Sequence, residues 1–207
     1  MRVLIACGGT GGHINPGLAI ADIIKSKYPD TEFLFAGTPK GMEAKLVPAA
    51  GYRFETIKVA GFQRRISLEN IGRNAKAVAY LITSGRRAKQ IIEGFKPDIA
   101  IGTGGYAAGP VIRKAARMGI PTAIHEQNAY PGVTNKLLSK EVDHVMLTVK
   151  EALNFMDGSK FEHTVTGLPV RSNIKNSISR AEARKKLGFN DDFTILSFGG
   201  SLGAGCI

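Results

Sequence analysis

Cysteine is scarce in this sequence, and long apolar runs are missing from it. The two cysteines, Cys7 and Cys206, are too few for a disulfide scaffold or a cysteine-based structural zinc site, and their number is typical of a reducing compartment. No apolar run reaches the roughly 18–20 residues that a membrane-spanning helix needs. The stretch before the first glycines is too short for a secretory signal. These absences predict a soluble protein of cytosolic type.

Acidic residues are few relative to basic ones. The 207 residues include 28 Lys+Arg and 17 Asp+Glu, which gives a formal charge of +11. With 43% hydrophobic and 22% charged residues, the composition is ordinary for a globular protein and excludes general disorder. The length allows one full domain and part of another. The excess of positive charge indicates an anionic partner.

Short apolar runs alternate with stretches of helical periodicity. Strands are predicted at 3–7, 32–36, 54–59, 99–102, 122–124, 144–147, 163–165 and 194–198. Helices are predicted at 16–27, 42–50, 68–94, 109–118, 132–139 and 149–156. Several strands are apolar at consecutive positions, as expected where both faces of a sheet are covered. The order predicts an α/β fold with a mainly parallel sheet, whose ligands bind outside the carboxyl ends of the strands.

The strand–helix alternation changes after Val165. A capped helix is predicted to begin at Ser179 and to end at Leu187-Gly188. The strand 194–198 and another glycine loop then begin a second α/β unit, in which the sequence stops. We therefore predict a first domain, a linker and the incomplete start of a second domain, at 1–166, 167–178 and 179–207.

The first predicted strand leads into the glycine-rich loop Gly8-Gly9-Thr10-Gly11-Gly12-His13 and then into a helix. Such a loop suits an anionic or heavily hydroxylated ligand, because glycines allow close backbone approach and the helix start offers free N–H groups. It is not a P-loop, since no Gly-Lys-Ser/Thr follows. A dinucleotide fingerprint fails because Ile14 replaces the third glycine and the second strand ends Phe35-Ala36-Gly37 without a carboxylate.

His13 is the candidate for chemistry in this loop. A neutral imidazole can take a proton from a hydroxyl group at neutral pH. A histidine at a helix start that only donates a hydrogen bond is an equally open interpretation.

Two further loops follow strands at the same edge of the predicted sheet. One contains Gly104-Gly105-Tyr106 and enters a helix, and the other is His125-Glu126-Gln127-Asn128. His125 and Glu126 can be a structural pair that pins the loops, an interpretation that we favour for Glu126. Gln127 and Asn128 are better candidates for ligand contact. Cys7 is interpreted as a small core residue.

Together these segments resemble the MurG family of peptidoglycan glycosyltransferases over essentially the whole chain. The resemblance rests on five segments in order, namely Gly8–His13 with Pro16-Gly17-Leu18-Ala19, Gly104-Gly105-Tyr106 with Gly109-Pro110, His125–Asn128 with Thr134-Asn135-Lys136, Gly167-x-Pro169-Val170-Arg171, and Gly199-Gly200-Ser201-x-Gly203-Ala204. Any one loop is weak evidence, whereas five in this order at compatible spacing are strong.

The resemblance implies a GT-B enzyme, with two Rossmann-like domains facing a cleft. Such an enzyme moves N-acetylglucosamine from UDP-GlcNAc to the C4 hydroxyl of MurNAc in undecaprenyl-pyrophosphoryl-MurNAc-pentapeptide (lipid I), with inversion, in peptidoglycan synthesis. The N-terminal domain would receive the lipid acceptor, and the C-terminal domain would hold most of the UDP-sugar. The resemblance implies a peripheral position on the cytoplasmic face of the cell membrane, and neither a cofactor nor a metal is expected.

The family's residue roles transfer to matching positions. His13 would be the general base for the acceptor hydroxyl. The residues that would contact UDP-GlcNAc are Thr10, Gly11, Gly12, Asn128, Arg171 and Ser201. The loops for the acceptor diphosphate would use Gly9, Gly104, Gly105 and Tyr106.

A basic and apolar stretch lies between Gln63 and Lys89. The predicted membrane patch consists of Arg64, Arg65, Arg73, Lys76, Leu81 and Ile82. An ordinary amphipathic helix and a surface for anionic lipid headgroups are both open interpretations. The resemblance favours the second, since a lipid-linked acceptor requires work at the bilayer. Nucleic-acid binding is a distant third, because no stacking motif accompanies the basic residues.

The family continues beyond the third glycine loop through most of the donor domain. We therefore expect this chain alone to be incomplete for catalysis, either as a fragment or as one partner of a second chain that supplies the donor domain. The alternatives are a non-catalytic acceptor- or membrane-binding half, another UDP-sugar-using GT-B enzyme, and a UDP-sugar epimerase of similar fold.

Overall fold

The computed structural model describes residues 1–59, 68–156, 161–171, 178–197 and 199, with no side chains described at 68–79, 81 and 82. Its strands form one seven-stranded sheet in the order β3-β2-β1-β4-β5-β6-β7, and every neighbouring pair is parallel. The strands are β1 Arg2–Cys7, β2 Glu32–Gly37, β3 Arg53–Thr56, β4 Ile99–Gly104, β5 Thr122–Glu126, β6 His144–Leu147 and β7 Glu162–Val165. The predicted parallel α/β fold is confirmed.

Helices cover both faces of this sheet. They are α1 Gly11–Lys27, α2 Glu43–Ala49, α3 Leu68–Phe95, α4 Ala108–Arg117, α5 Val133–Leu138, a 3₁₀ helix Lys150–Phe155, and α6 Arg180–Leu187. The apolar residues of β1 are consecutive because both faces of this strand are covered. Val3 and Ile5 pack with α1 on one face, whereas Leu4 and Ala6 pack with α3 and α4 on the other. Each of these four side chains is fully buried.

The chain order of the strands reverses between β1 and β4. β2 and β3 lie on one side of β1, and β4 to β7 follow on the other side. A reversal of this kind leaves a crevice at the carboxyl ends of the two central strands, where doubly wound sheets bind their ligands. The loops that follow β1 and β4 are the two glycine-rich loops singled out in the sequence.

Some predicted boundaries are corrected by the structure. α1 begins at Gly11 rather than at residue 16, so His13 lies in its first turn and Pro16 lies inside the helix. β5 continues to Glu126, so His125 and Glu126 are strand residues rather than loop residues. The helix predicted at 149–156 is a 3₁₀ helix.

The helix predicted after the linker is confirmed as α6. Ser179 and Glu182 form a capping box, and Gly188 ends the helix with a left-handed backbone at φ 70°. The strand predicted at 194–198 is wrong for its described part, because 194–197 form no strand and the side chains of Ile195 and Leu196 are 79% exposed. A strand needs a neighbour for its backbone groups, and none of the described strands pairs with this segment.

The basic stretch lies mostly outside what the structure describes. Arg64 and Arg65 are outside the described residues. Arg73, Lys76, Leu81 and Ile82 lie on α3, at positions where only the backbone is described. Among the described residues, none of the helices is long and apolar enough to cross a membrane.

Candidate functional site

The two glycine-rich loops contact each other at the crevice between β1 and β4. Gly105 has φ +80°, and a Cβ atom placed there would overlap the carbonyl oxygen of Gly8. Gly104 has φ +100°, and a Cβ there would lie 2.7 Å from Nδ1 of His13. Both glycines are therefore required by packing as well as by backbone conformation.

The pairing of β1 with β4 shifts by one residue at this edge. Ala6 lies opposite Gly102, and Cys7 lies opposite Gly104, so Thr103 is the extra residue. Thr103 is fully buried, and its Oγ1 donates a hydrogen bond to the carbonyl oxygen of His13 at 2.7 Å. The irregularity in β4 thereby fixes the first turn of α1.

His13 is half-buried at the rim of the crevice. Its Nδ1 lies 3.1 Å from Oε1 of Gln127, which follows β5. The ring is thus held between the start of α1, Gly104 of β4 and the residue after β5. The partly exposed ring of His13 therefore lies at the carboxyl ends of β1, β4 and β5.

Glu43 supports the first glycine loop from below. Its side chain is fully buried, and its carboxylate accepts hydrogen bonds from the backbone N–H of Gly9 at 3.2 Å and from the N–H and hydroxyl of Thr38 at 2.8 and 2.6 Å. The sequence did not single out this residue, because a glutamate in the first turn of a helix is ordinary. Only the buried position distinguishes it.

Glu126 organises the loop after β5 in the same way. The carboxylate is buried and accepts from the N–H and Nδ2 of Asn128 at 2.9 and 3.0 Å, the N–H of Gly132 at 3.0 Å and Nδ2 of Asn135 at 2.8 Å. Asn128 is held in place but exposed. The structural interpretation of Glu126 is confirmed.

His125 is fully buried beside Gln127 and the segment after β7. Its Nε2 lies 3.1 Å from the carbonyl oxygen of Gly167, and its Nδ1 lies 3.2 Å from Nε2 of Gln127. Burial lowers the pKa of His125 below the usual 6.5, against smaller opposing effects of the Gly167 carbonyl and the Glu126 charge. His125 is therefore a neutral structural group. Gln127 is predicted from the sequence to contact a ligand, but both polar atoms of its side chain form hydrogen bonds within the protein.

Most predicted site residues lie at this one edge of the sheet. Those around the crevice are Gly9, Thr10, Gly11, Gly12, His13, Gly104, Gly105, Tyr106 and Asn128. Arg171 is not among them. Its Nε lies 3.7 Å from Oδ2 of Asp22, which is about 16 Å along α1 from the start of the helix. Ser201 is outside the described residues.

Cys7 is a core residue, as interpreted from the sequence. Its thiol is fully buried, and burial together with the Glu43 charge raises its pKa to about 12. A thiol of this kind is not a nucleophile at neutral pH. In the part of the chain that the structure describes, no group of three or more His, Cys, Asp or Glu residues could hold a metal ion.

The parallel doubly wound sheet, with glycine-rich loops at its β1/β4 crevice, is that of a glycosyltransferase N-terminal domain. Residues 3–147 match the model of the glycosyltransferase family 28 N-terminal domain. The chain belongs to glycosyltransferase family 28.

Two relatives with high sequence identity have the same name. The UDP-N-acetylglucosamine–N-acetylmuramyl-(pentapeptide) pyrophosphoryl-undecaprenol N-acetylglucosamine transferase of Acetivibrio thermocellus is 52% identical over 206 residues, which is 99% of this chain and 54% of that protein. The protein of the same name from Desulforamulus reducens is 47% identical over 204 residues, with 99% and 54% coverage. The chain spans about half the length of the curated relatives it matches.

Solved structures agree with this assignment. The crystal structure of Acinetobacter baumannii MurG is 28% identical and superimposes with a TM-score of 0.65, covering 87% of this chain and 47% of that one. The UDP-GlcNAc 2-epimerase from Neisseria meningitidis has a TM-score of 0.58 at 16% identity, covering 93% and 55%. The second likeness shows a shared fold only.

We expect Glu43→Gln to loosen the first glycine loop. The carboxamide can accept with only one of its two polar atoms, so at least one donor of Gly9 or Thr38 faces an NH₂ group instead of an acceptor beside the buried side chain, at a cost of about 1–3 kcal/mol in the free energy of unfolding. Urea unfolding gives this cost, and hydrogen exchange at the Gly9 amide shows where it acts. Glu141→Gln is the matched control, because it removes only partly exposed ion pairs, with Arg113 and Arg117, each worth ~1 kcal/mol or less. Equal losses for both variants, with unchanged Gly9 exchange, would contradict the assignment.

We expect stability to decrease in acid through His125. Its pKa is lower in the folded chain than in the unfolded chain, so the unfolded chain binds more protons as the pH falls. The contribution of His125 is therefore complete above pH ~6.5 and is lost progressively below it. Urea unfolding between pH ~7 and ~5 should show a shallower decline in His125→Gln than in the parent chain. Parallel pH profiles would show that His125 does not titrate with unfolding.

Proposed function

We propose that the chain is the acceptor-binding half of an inverting glycosyltransferase that moves GlcNAc from UDP-GlcNAc to lipid I. The domain would comprise residues 1–166, followed by a linker at 167–178 and the start of the donor domain at 179–207. The single observation that supports this best is the meeting of His13 with two glycine-rich loops at the β1/β4 crevice of a family 28 domain. The shared name of the relatives supplies the reaction.

The crevice suits a molecule that combines hydroxyl groups with phosphates. α1 begins at Gly11 with no acidic residue in its first turn, so the positive end of its dipole faces the crevice without compensation from its own side chains. Gly9 and Tyr106 are exposed at the mouths of the two loops. Backbone N–H groups and a helix start would stabilise the acceptor diphosphate, and Thr10, Gly11, Gly12 and Asn128 would face the donor sugar nucleotide.

His13 would act as the general base of the transfer. The imidazole takes the proton of the acceptor C4 hydroxyl while that oxygen attacks the anomeric carbon of GlcNAc. The new C–O bond forms as the bond from that carbon to the diphosphate oxygen breaks, and the electron pair leaves with UDP. Attack from the face opposite UDP inverts the anomeric centre. Arg171 and Ser201 would meet the uridine diphosphate. Arg171 lies beside Asp22 of α1, away from the crevice, and Ser201 is outside the described residues.

The basic stretch is proposed to hold this half at the anionic cytoplasmic face of the membrane. α3 is 28 residues long and is anchored in the core by its second half, through Ala88, Ile92 and Phe95. Its first half follows Arg64 and Arg65 and contains Arg73 and Lys76. Cations at such positions favour anionic headgroups by ~1 kcal/mol each.

A transfer assay tests the proposed reaction. The chain is joined to the donor half of the Acetivibrio thermocellus relative, and GlcNAc transfer from UDP-GlcNAc to a lipid I analogue is measured. We expect turnover by the joined protein and a fall in kcat of ~10²-fold or more in His13→Ala, because a general base contributes about that much. His144→Ala is the matched control, since His144 lies at the opposite edge of the sheet, at the start of β6. The absence of transfer by the joined protein would contradict the proposal. Binding of lipid I without turnover would then indicate a non-catalytic half.

Vesicle binding tests the membrane surface. Reversing Arg64, Arg65 and Arg73 to Glu should weaken binding to phosphatidylglycerol-containing vesicles by ~10²-fold, and added salt should weaken the binding of the parent chain. Sedimentation with vesicles measures both effects.

A charge-matched variant is the control for this experiment. Lys27, Lys45 and Lys140 are exposed outside α3, and their reversal gives the same net charge. Equal weakening by both triple variants would mean that net charge, rather than the basic stretch, drives binding.

A further inference from the structure

The hydrogen bonds of Gln127 define which of its side-chain atoms faces His13. The Nε2 atom lies 3.0 Å from the carbonyl oxygen of Thr103 and 2.9 Å from that of His125. Carbonyl oxygens only accept hydrogen bonds, so the atom between them must be the amide nitrogen. The other side-chain atom, the oxygen Oε1, therefore faces Nδ1 of His13 at 3.1 Å.

This orientation determines the tautomer of His13. The amide oxygen can only accept, so Nδ1 of His13 must donate and must hold a proton. In the neutral ring the other nitrogen, Nε2, then has a free lone pair. Among the described residues, none forms a hydrogen bond with Nε2 of His13.

His125 reinforces the same arrangement from behind. Its Nε2 faces the Gly167 carbonyl and must donate, which leaves its Nδ1 as an acceptor for the Gln127 amide at 3.2 Å. The two amide hydrogens of Gln127 thus serve three acceptors, one hydrogen being shared. A flip of the amide would turn its oxygen toward both carbonyl oxygens and toward Nδ1 of His125, so the flip is disfavoured at each of these three contacts.

We infer that Gln127 is a positioning residue that holds His13 in the Nδ1–H tautomer, with Nε2 free to take the proton of an acceptor hydroxyl. The base assignment rests on the proposed function, whereas the tautomer follows from the hydrogen bonds alone. Thr103, a buried residue of β4, connects the two residues. Its Oγ1 donates to the His13 carbonyl, and its own carbonyl accepts from Gln127. The ring nitrogen that reacts is thus selected by a neutral amide rather than by a carboxylate.

Nitrogen NMR of the 207-residue chain tests the inference without any activity. The four histidines are labelled with ¹⁵N and assigned by single substitutions. Above the titration of the ring, we expect His13 to show a protonated Nδ1 and an unprotonated Nε2. A majority Nε2–H tautomer at His13 would overturn the inference even if the joined protein transfers GlcNAc. A correct tautomer in a protein without transfer would instead overturn the proposed function alone.

Substitution of Gln127 separates positioning from support of the fold. Gln127→Met has similar length but no acceptor, and one lost hydrogen bond should shift the tautomer ratio of His13 about three- to tenfold toward Nε2–H. Asn135→Ala is the matched control, because it removes buried hydrogen bonds to His125 and Glu126 without touching His13. We expect Asn135→Ala to lower stability and to leave the tautomer unchanged. Equal tautomer ratios in both variants would show that Gln127 is only structural.

The conservative variant Gln127→Glu provides a readout in the joined protein. A carboxylate can still accept from Nδ1–H, so the Nδ1–H tautomer should be retained. Its second oxygen faces the carbonyl oxygens of Thr103 and His125 in place of a donor, so the variant should also be less stable than the parent. Its charge stabilises the protonated ring, so the acid limb of the kcat profile should move to higher pH. Gln127→Met should lower kcat with little change in KM for UDP-GlcNAc. Uniform loss of activity in both variants, with no shift of the acid limb, would contradict the inference.

Discussion

The pairing of β1 with β4 is the interaction on which the candidate site depends. These two strands are adjacent in the sheet but separated by more than ninety positions in the chain, and their register shifts at Thr103. Without that shift the Thr103 hydroxyl would not be placed under the His13 carbonyl. The same residue presents its own carbonyl to Gln127. One irregular position in a buried strand therefore connects the first turn of α1 with the end of β5.

Two buried carboxylates hold the loops around this centre. Glu43 accepts from the loop after β1 and from the loop after β2, and Glu126 accepts from the loop after β5. A buried carboxylate is costly unless hydrogen-bond donors surround it, so each loop is stable only in the conformation that supplies those donors. The exposed groups at the crevice, such as Tyr106 and Asn128, thus project from a rigid base.

The fold could be predicted from the sequence further than the site could. Consecutive apolar residues located the strands β1, β2, β4 and β5, because both faces of the sheet are buried there. Pro16 predicts a first helical position, yet α1 begins at Gly11 and continues through the proline. The polar side chains of His125 and Glu126 predict a loop, because polar residues rarely lie inside a strand, yet they pair with Met146 and Leu147 of β6. Hydrogen bonds between distant segments, such as that of Glu43, leave no local pattern.

The contact between Gly105 and Gly8 limits how this crevice can be redesigned. A side chain at Gly105 would both strain the backbone and collide with the neighbouring loop, whatever ligand is bound. The two loops therefore act as one unit that tolerates change only together. New ligand specificity would have to be introduced at outward-facing side chains, of which Tyr106 and Asn128 are exposed beside the crevice. The glycines define the shape of the crevice, and these exposed side chains are where its chemistry can be altered.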